Sequence, residues 1–454
     1  MSIIKAFASK RVVLENSTIP AIILVENEII IDIINGLIDD EKVNLINKYK
    51  NIIIEDFGEL VLMAGIVDSH VHLNEPGRTE WEGFKTGTIA AAAGGVTTVI
   101  DMPLNSLPPT TTLNGLELKK QSAKDNIFID VGFWGGIIPG NIKELKPMIQ
   151  AGVCGFKCFL CPSGAEEFPH VEYSDIEKAI DELDNTNSVI LFHAELEENI
   201  DIDGLDTKSY DTFLKTRPSS MEINAIKMII QLFQNSKVRC HIVHLSASDA
   251  LEILKIAKEK NALLSVETCH HYLSIVAEEI PPKSTQFKCC PPIRSSNNRE
   301  LLWDALKNEI LDMVVSDHSP CTAELKTDDF IKSWGGISSL QFGLPLFWTE
   351  AKKRNFKLHE ISKLLSKNPS KLAGLSGKKG QIKINYDADF VVWSPEDTIT
   401  IKKSSLLYKN KITPYDNRTL NGKIISTILR GNFIFKDNKI IDKSIGKIIP
   451  DKKI

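Results

Sequence analysis

Short apolar, β-branched runs recur through the middle of the chain, separated by stretches with a helical rhythm. The first is VLMAGIVDSHVH at 61–72, followed by TTVIDMP at 97–103 and by FIDVGFWGGI from Phe128. GVCGFKCFL starts at Gly152, SVILFHAE at Ser188 and RCHIVHLS at Arg239. LLSVETCHHYL begins at Leu263 and DMVVSDHSP at Asp312. Helical periodicity fills most of the gaps, as in 218–234 and 247–259. Strand alternating with helix predicts a parallel sheet with helices outside it. Eight such units over roughly 250 to 330 residues suit a (β/α)8 TIM barrel. A doubly wound sheet is the alternative, but no glycine-rich fingerprint follows the first strand. In AAAGGVTT, Gly94 and Gly95 are expected to end a helix and turn into the second strand, not to cradle phosphate.

Both ends have a different pattern. Residues 8–57 and 381–436 read as short strands and turns, with DADFVVWSP and IISTILRGNFIFKDNKI the clearest. The chain is therefore expected to be α/β: a barrel over 59–376, beside a small β-sandwich-like domain built from 1–58 and 377–454. A helical stretch at 357–375 ends at Gly374 and Gly377, and the lysine-rich residues beyond about 440 are expected to be poorly ordered.

Composition narrows the function. Of 454 residues, 43% are hydrophobic and 25% charged, enough apolar material for one large core and a smaller module. The formal net charge is −5 with both signs interspersed, so no basic face marks a nucleic-acid partner. The N-terminal apolar runs are broken by Glu26, Glu28 and Asp32, too short to span a bilayer and unlike a secretory signal. Eight cysteines in a chain of this length, several inside strands, fit buried thiols in a reducing compartment, and the cytoplasm is the expected location.

Candidate chemistry gathers at the C-terminal ends of the barrel strands, where this architecture keeps its active sites. In His70-Val71-His72 strand alternation points both imidazoles to one face, a pair suited to a divalent metal. His193 and His244 each close an apolar run; a single histidine there is more often a hydrogen-bonded core residue. Asp317 ends DMVVSDHSP, where a buried carboxylate requires a partner or a metal. Lys157 lies inside GVCGFKCFL; an unpaired buried ammonium is disfavoured, its long stem could carry the charge to solvent or to a nearby acid, and sequence chemistry alone does not explain it. His241 is expected to face away from His244, and His170, His270, His271, His318 and His359 to be exposed or supporting.

Taken together, these residues resemble the cyclic amidohydrolases over nearly the whole chain. GIVDSHVHLNEPGRTEWEGFKTGTIAAAAGGVTTVIDMPLNSLPPTT and GFKCFLCPSGAEEFPHV carry most of the resemblance. HIVHLS, ETCHHYL, CCPPIR, VVSDHSPC and NPSKLAGL follow in the family's order. The resemblance implies that Lys157 is carboxylated by CO2 and that the carbamate bridges two zinc ions. His70, His72 and Asp317 would hold one ion, His193 and His244 the other. A hydroxide between the ions would attack the ring carbonyl, with Asp317 moving its proton to the leaving nitrogen. Cys290, Gly335 and Gly336 match stretches that line the family's pocket, and with Asn74 and Ser163 they are the expected substrate contacts.

The resemblance also orders the substrates. Dihydroorotases carry a carboxylate-binding arginine where this chain has Asn74, so a carboxylated ring is disfavoured. Dihydropyrimidinases and hydantoinases place a tyrosine where this chain reads CPSGAEE, and Ser163 there fits a small ureido-bearing ring. Allantoin leads and another hydantoin follows. A metal-free scaffold is the reading from a different class, opposed by the intact ligand positions. A homotetramer, with a small-molecule substrate and no membrane or nucleic-acid partner, completes what the resemblance implies.

Overall fold

The structure, a computed structural model, describes residues 3–37, 52–260, 263–441 and 444–450. The chain opens with β1 (Ile4–Val13), β2 (Thr18–Glu26), β3 (Ile29–Asn35), β4 (Ile52–Asp56) and β5 (Val61–Ala64). It then enters the barrel with β6 (Ile66–Val71), β7 (Val96–Asp101), β8 (Asp130–Phe133) and the short β9 (Gly135–Gly136). β10 (Phe156–Phe159), β11 (Val189–His193), β12 (Arg239–Ile242), β13 (Leu264–Cys269) and β14 (Met313–Val315) complete it. The chain ends in β15 (Phe390–Thr400), β16 (Thr419–Leu429), β17 (Asn432–Lys436) and β18 (Lys439–Ile440).

β6, β7 and β8 pair in parallel, and so do β9 through β14. Two contacts close the ring. Cys154 N donates to Phe133 O at 2.9 Å on one side, and His72 N donates to His318 O at 2.8 Å on the other. With β9 a continuation of β8, this is the expected eight-stranded TIM barrel. Strand alternation sorts its side chains. Phe156, Cys158, Ile190, Phe192, Cys240 and Ile242 pack outward with helical residues such as Ile176, Ala179 and Ile229. Phe159, Val189, Leu191, Val243 and Trp134 fill the interior instead. Lys157 and His193 share that inward register, so the pleat itself delivers them to the barrel's centre. The helix Phe84–Ala93 ends at Gly94, and Gly95 takes φ +83 to enter β7, as its sequence indicates.

The terminal strands form one nine-stranded sheet in the order β18-β17-β16-β15-β5-β1-β2-β3, with β4 also on β1. Val61–Ala64, which the sequence assigned to the barrel segment, belongs to this sheet: Met63 pairs with Val391 and Val61 with Trp393. The chain changes sheets at Gly65, where a Cβ would lie 2.2 Å from Thr97 Oγ1. We therefore place the first domain boundary at Gly65. Buried charges tie the two parts together. Lys379 Nζ contacts Asp130, Asp387 and Asp389 at 2.5, 2.8 and 2.7 Å, and Arg430 also pairs with Asp130.

The tail also differs from expectation over its described residues. Gly446 N donates to Ile127 O at 3.1 Å, Ile449 N to Val131 O at 2.9 Å, and Lys447 N to Asp130 Oδ1 at 2.8 Å. Residues 444–450 are thus anchored against β8; lysine-rich composition concealed backbone pairing that makes no demand on side-chain type. Residues 442–443 and 451–454 lie outside the described residues.

Candidate metal centre

At the mouth of the barrel, His70, His72, Lys157, His193, His244 and Asp317 line one cavity of about 260 Å³. All six are buried. Asp317 Oδ1 lies 3.3 Å from His70 Nε2 and 3.5 Å from His72 Nε2. His193 Nδ1 and His244 Nε2 face each other at 3.0 Å. The His70 and His244 rings are 5.4 Å apart, which joins the two groups. Two of the six have a left-handed backbone, His244 at φ 39 and Asp317 at φ 43. Such conformations cost energy in non-glycine residues and persist where the surroundings impose them.

Each flank has a carboxylate behind its histidine. Glu267, on β13, takes His70 Nδ1 at 2.5 Å and His241 Nε2 at 3.0 Å. Glu195 takes His193 Nε2 at 2.6 Å, and Arg217 donates to the same Glu195 oxygen at 2.5 Å. A ring N–H committed to a carboxylate leaves the opposite nitrogen as a lone pair facing the cavity, the arrangement common to metal-binding histidines. His241 therefore does not turn away from the site. It points inward like Val243, and the positive φ of His244 breaks the alternation on which the opposite expectation rested.

The electrostatics favour ligation. Burial lowers the pKa values of His72 and His193, and that of His244 falls furthest, so these imidazoles are neutral near pH 7. Burial would raise the Asp317 carboxyl, but the neighbouring His70 and His72 rings hold it well below the usual carboxylate range. Burial likewise opposes ionisation of Glu195 and Glu267, but their cationic and imidazole partners bring both to about 2. Burial brings Lys157 down to about 8, against the attraction of Glu267 and Asp317. No carboxylate forms an ion pair with Lys157 among the described residues; its Nζ sits 5.1 Å from the Phe159 ring centre. Neutral imidazoles, an ionised carboxylate and a partly neutral amine form a donor set suited to divalent cations. His70, His72 and Asp317 present their ligand atoms within 4.8 Å of one another.

Of the expected substrate contacts, Ser163, Cys290, Gly335 and Gly336 line the cavity, and Asn74 does not. Asn74 is buried with its amide toward Pro320 O at 3.3 Å. Asn105 lines the cavity instead, its amide 3.3 Å from His72 Nδ1. The Ser163 hydroxyl donates to Phe168 O at 2.6 Å and accepts from Ala165 N, so it braces its own loop. At Gly336 the backbone has φ +129 and a Cβ would meet Ser319 O at 2.2 Å, so only glycine fits this wall. His318 is a buried support, 3.2 Å from Glu82 Oε2, while His170 lies apart from the site near Glu172. His270 and His271 are buried, and neither His271 nitrogen has a hydrogen-bond partner among the described residues. Sequence reasoning overlooked Glu195, Glu267 and Arg217. Glu267 sits two residues from Ser265 on the inward register of an apolar strand, a signal open to the alternation argument that picked out Lys157.

A barrel with this donor set at its C-terminal mouth suits a metal-dependent hydrolase, and comparison with known proteins agrees. Residues 61–434 match the amidohydrolase family, and the chain belongs to it. Within that family, the chain is similar to allantoinases. One is the mitochondrial allantoinase of Aquarana catesbeiana, 58% identical over 72% of this chain and 69% of that one. Another is the allantoinase of Saccharomyces cerevisiae, 43% identical over 99% of each chain. Among solved structures, the L-hydantoinase (dihydropyrimidinase) of Arthrobacter aurescens superposes with a TM-score of 0.90 at 26% identity, covering 99% of both chains. The family implies a site that depends on divalent metal.

Proposed function

We propose that this chain opens the ring amide of allantoin with water to give allantoate. The observation that carries the reading is the convergence of His70, His72, His193, His244 and Asp317 around the buried Lys157, in a chain similar to allantoinases along its whole length. His70, His72 and Asp317 would hold one zinc ion, and His193 and His244 would hold the other. Lys157 would join the donor set as a carbamate: its neutral amine would take up CO2 and release a proton, which would turn an unpaired buried cation into an anionic ligand. The low pKa that burial imposes on Lys157 supports this step, because the neutral amine is the reactive form. When bound, the metal pair supplies Lewis acidity and a water of lowered pKa.

The chain's own residues do the rest. Asp317, ionised and beside His70 and His72, accepts a proton from the attacking water and delivers it to the departing ring nitrogen. Glu267 and Glu195 fix the ring orientations of His70 and His193. Backbone groups around Ser163, Cys290, Gly335 and Gly336 orient the ring. With water and substrate held in one cavity, the reaction becomes effectively intramolecular.

Eight free cysteines support a reducing compartment, and we place the protein in the cytoplasm. No described helix is long and apolar enough to cross a membrane. A homotetramer is the assembly we propose, on the resemblance to the cyclic amidohydrolases alone; sedimentation equilibrium reads it directly. The central test incubates purified, zinc-loaded protein with allantoin, hydantoin, dihydrouracil and dihydroorotate in parallel. Allantoin turning over fastest is the expected outcome. Preference for another ring, or no turnover with two zinc ions bound, rejects the reading.

A further inference from the structure

Besides Lys157, the cavity is lined by three cationic side chains, Arg217, Lys288 and Lys332. Lys288 Nζ donates to Ile331 O and Ser333 O at 3.1 and 2.5 Å. Lys326 Nζ, behind the wall, donates to Trp334 O and Gly336 O, each at 2.8 Å. Lys332 is exposed to solvent. Arg217 is different. It follows the helix Tyr210–Lys215 and lines the cavity with its side chain 23% exposed. One nitrogen is held by Glu195 at 2.5 Å, and the Cys161 thiol is a second neighbour. A guanidinium has five N–H donors in a rigid fork, more than those two neighbours use.

We propose that Arg217 is the specificity residue of this site, donating to the carbonyl oxygen of a ureido substituent carried on the substrate ring. The inference rests on the allantoin-hydrolysing function proposed above and names the group that recognises the substrate's side arm. Geometry assigns the direction. Glu195 links Arg217 to His193, so the guanidinium lies one carboxylate away from the histidine end of the cavity. Ser163, Gly164 and Cys290 line the same cavity. A planar donor fork suits a planar urea carbonyl. A site built to hydrogen-bond a substrate group discriminates strongly against the analogue that lacks it, because its own donors are left unpaired.

Arg217 also steadies Glu195, so loss of activity alone does not separate recognition from support. The experiment compares zinc-loaded wild type, R217M and R217K on allantoin and on unsubstituted hydantoin, with zinc per chain counted in each protein. Recognition predicts that kcat/KM for allantoin falls roughly ten- to a hundredfold further than for hydantoin in R217M. R217K keeps the charge and lies between. A purely structural role lowers both substrates by the same factor, and that result overturns the proposal while leaving the proposed function standing. If R217M fails to fold or to load zinc, the allantoin-to-hydantoin ratio of R217K decides by the same criterion. Wild type that opens hydantoin but not allantoin overturns both readings before any variant is compared.

Discussion

Replacing Glu267 with glutamine tests whether the carboxylate behind His70 sets metal affinity. Glu267 is fully buried and binds His70 Nδ1 at 2.5 Å and His241 Nε2 at 3.0 Å. Glutamine has the same shape and can keep both contacts. Its oxygen accepts from His70, and its amide donates to His241, whose other nitrogen contacts Ser265 Oγ at 2.8 Å. What disappears is the charge. A hydrogen bond to an ionised group contributes about 1 kcal/mol more than a neutral one, so two such bonds amount to about 2 kcal/mol. That corresponds to roughly thirtyfold weaker binding, within the range found when partners behind metal ligands are removed. Zinc affinity is read by competition with a coloured chelator, one equivalent at a time. The equivalent that involves His70 should weaken roughly thirtyfold in E267Q, and the one held by His193 and His244 should change far less. Wild-type affinity for both equivalents, in a variant that folds normally, would refute the reasoning.

Other outcomes follow from the same structure. Asp317→Asn should cut kcat by orders of magnitude while losing much less zinc, as steady-state kinetics beside metal analysis would reveal; equal losses would make Asp317 a ligand and nothing more. The metal-free protein should lose stability as pH falls from 7.5 to 5.5. His72, His193, His244, His270 and His271 all have lowered pKa values, the last two to about 3 and 4. Below pH 6.5 the unfolded chain therefore binds protons that the native state refuses, at up to about 1.4 kcal/mol per group per pH unit. Asp68, raised to about 6 by burial, and Glu222 and Asp389, also raised by burial, work in the opposite direction but are three groups against five; a urea midpoint that rises on acidification contradicts the assignment. Asp130→Asn strips a buried charge from Lys379 and Arg430, and should cost about 3–5 kcal/mol in urea unfolding.

The barrel was legible because its information is periodic and local. Eight apolar runs alternating with helical stretches specify parallel strands, and alternation within a strand brings Lys157 and His193 to the interior. Pairing between sequence-distant segments was harder to read. Val61–Ala64 is as apolar as a barrel strand, and only its partners Val391 and Trp393 assign it to the terminal sheet. The tail at 444–450 docks mainly through backbone groups, which leave no mark in composition. Ligand residue types announced themselves, whereas their supports did not. Glu195 and Glu267 are common residues whose importance lies in the nitrogen they face. Arg217 reaches the cavity from a loop, outside any strand pattern. His241 was misjudged because counting residues along a strand assumes unbroken alternation, and the positive φ at His244 interrupts it.

The most direct test is a crystal structure of zinc-loaded protein grown with bicarbonate, with anomalous data collected on both sides of the zinc edge. Two peaks within the ring of His70, His72, His193, His244 and Asp317, joined by density continuous with Lys157 Nζ, are the predicted result. A bare lysine amine, with no anomalous signal between those side chains, contradicts the account.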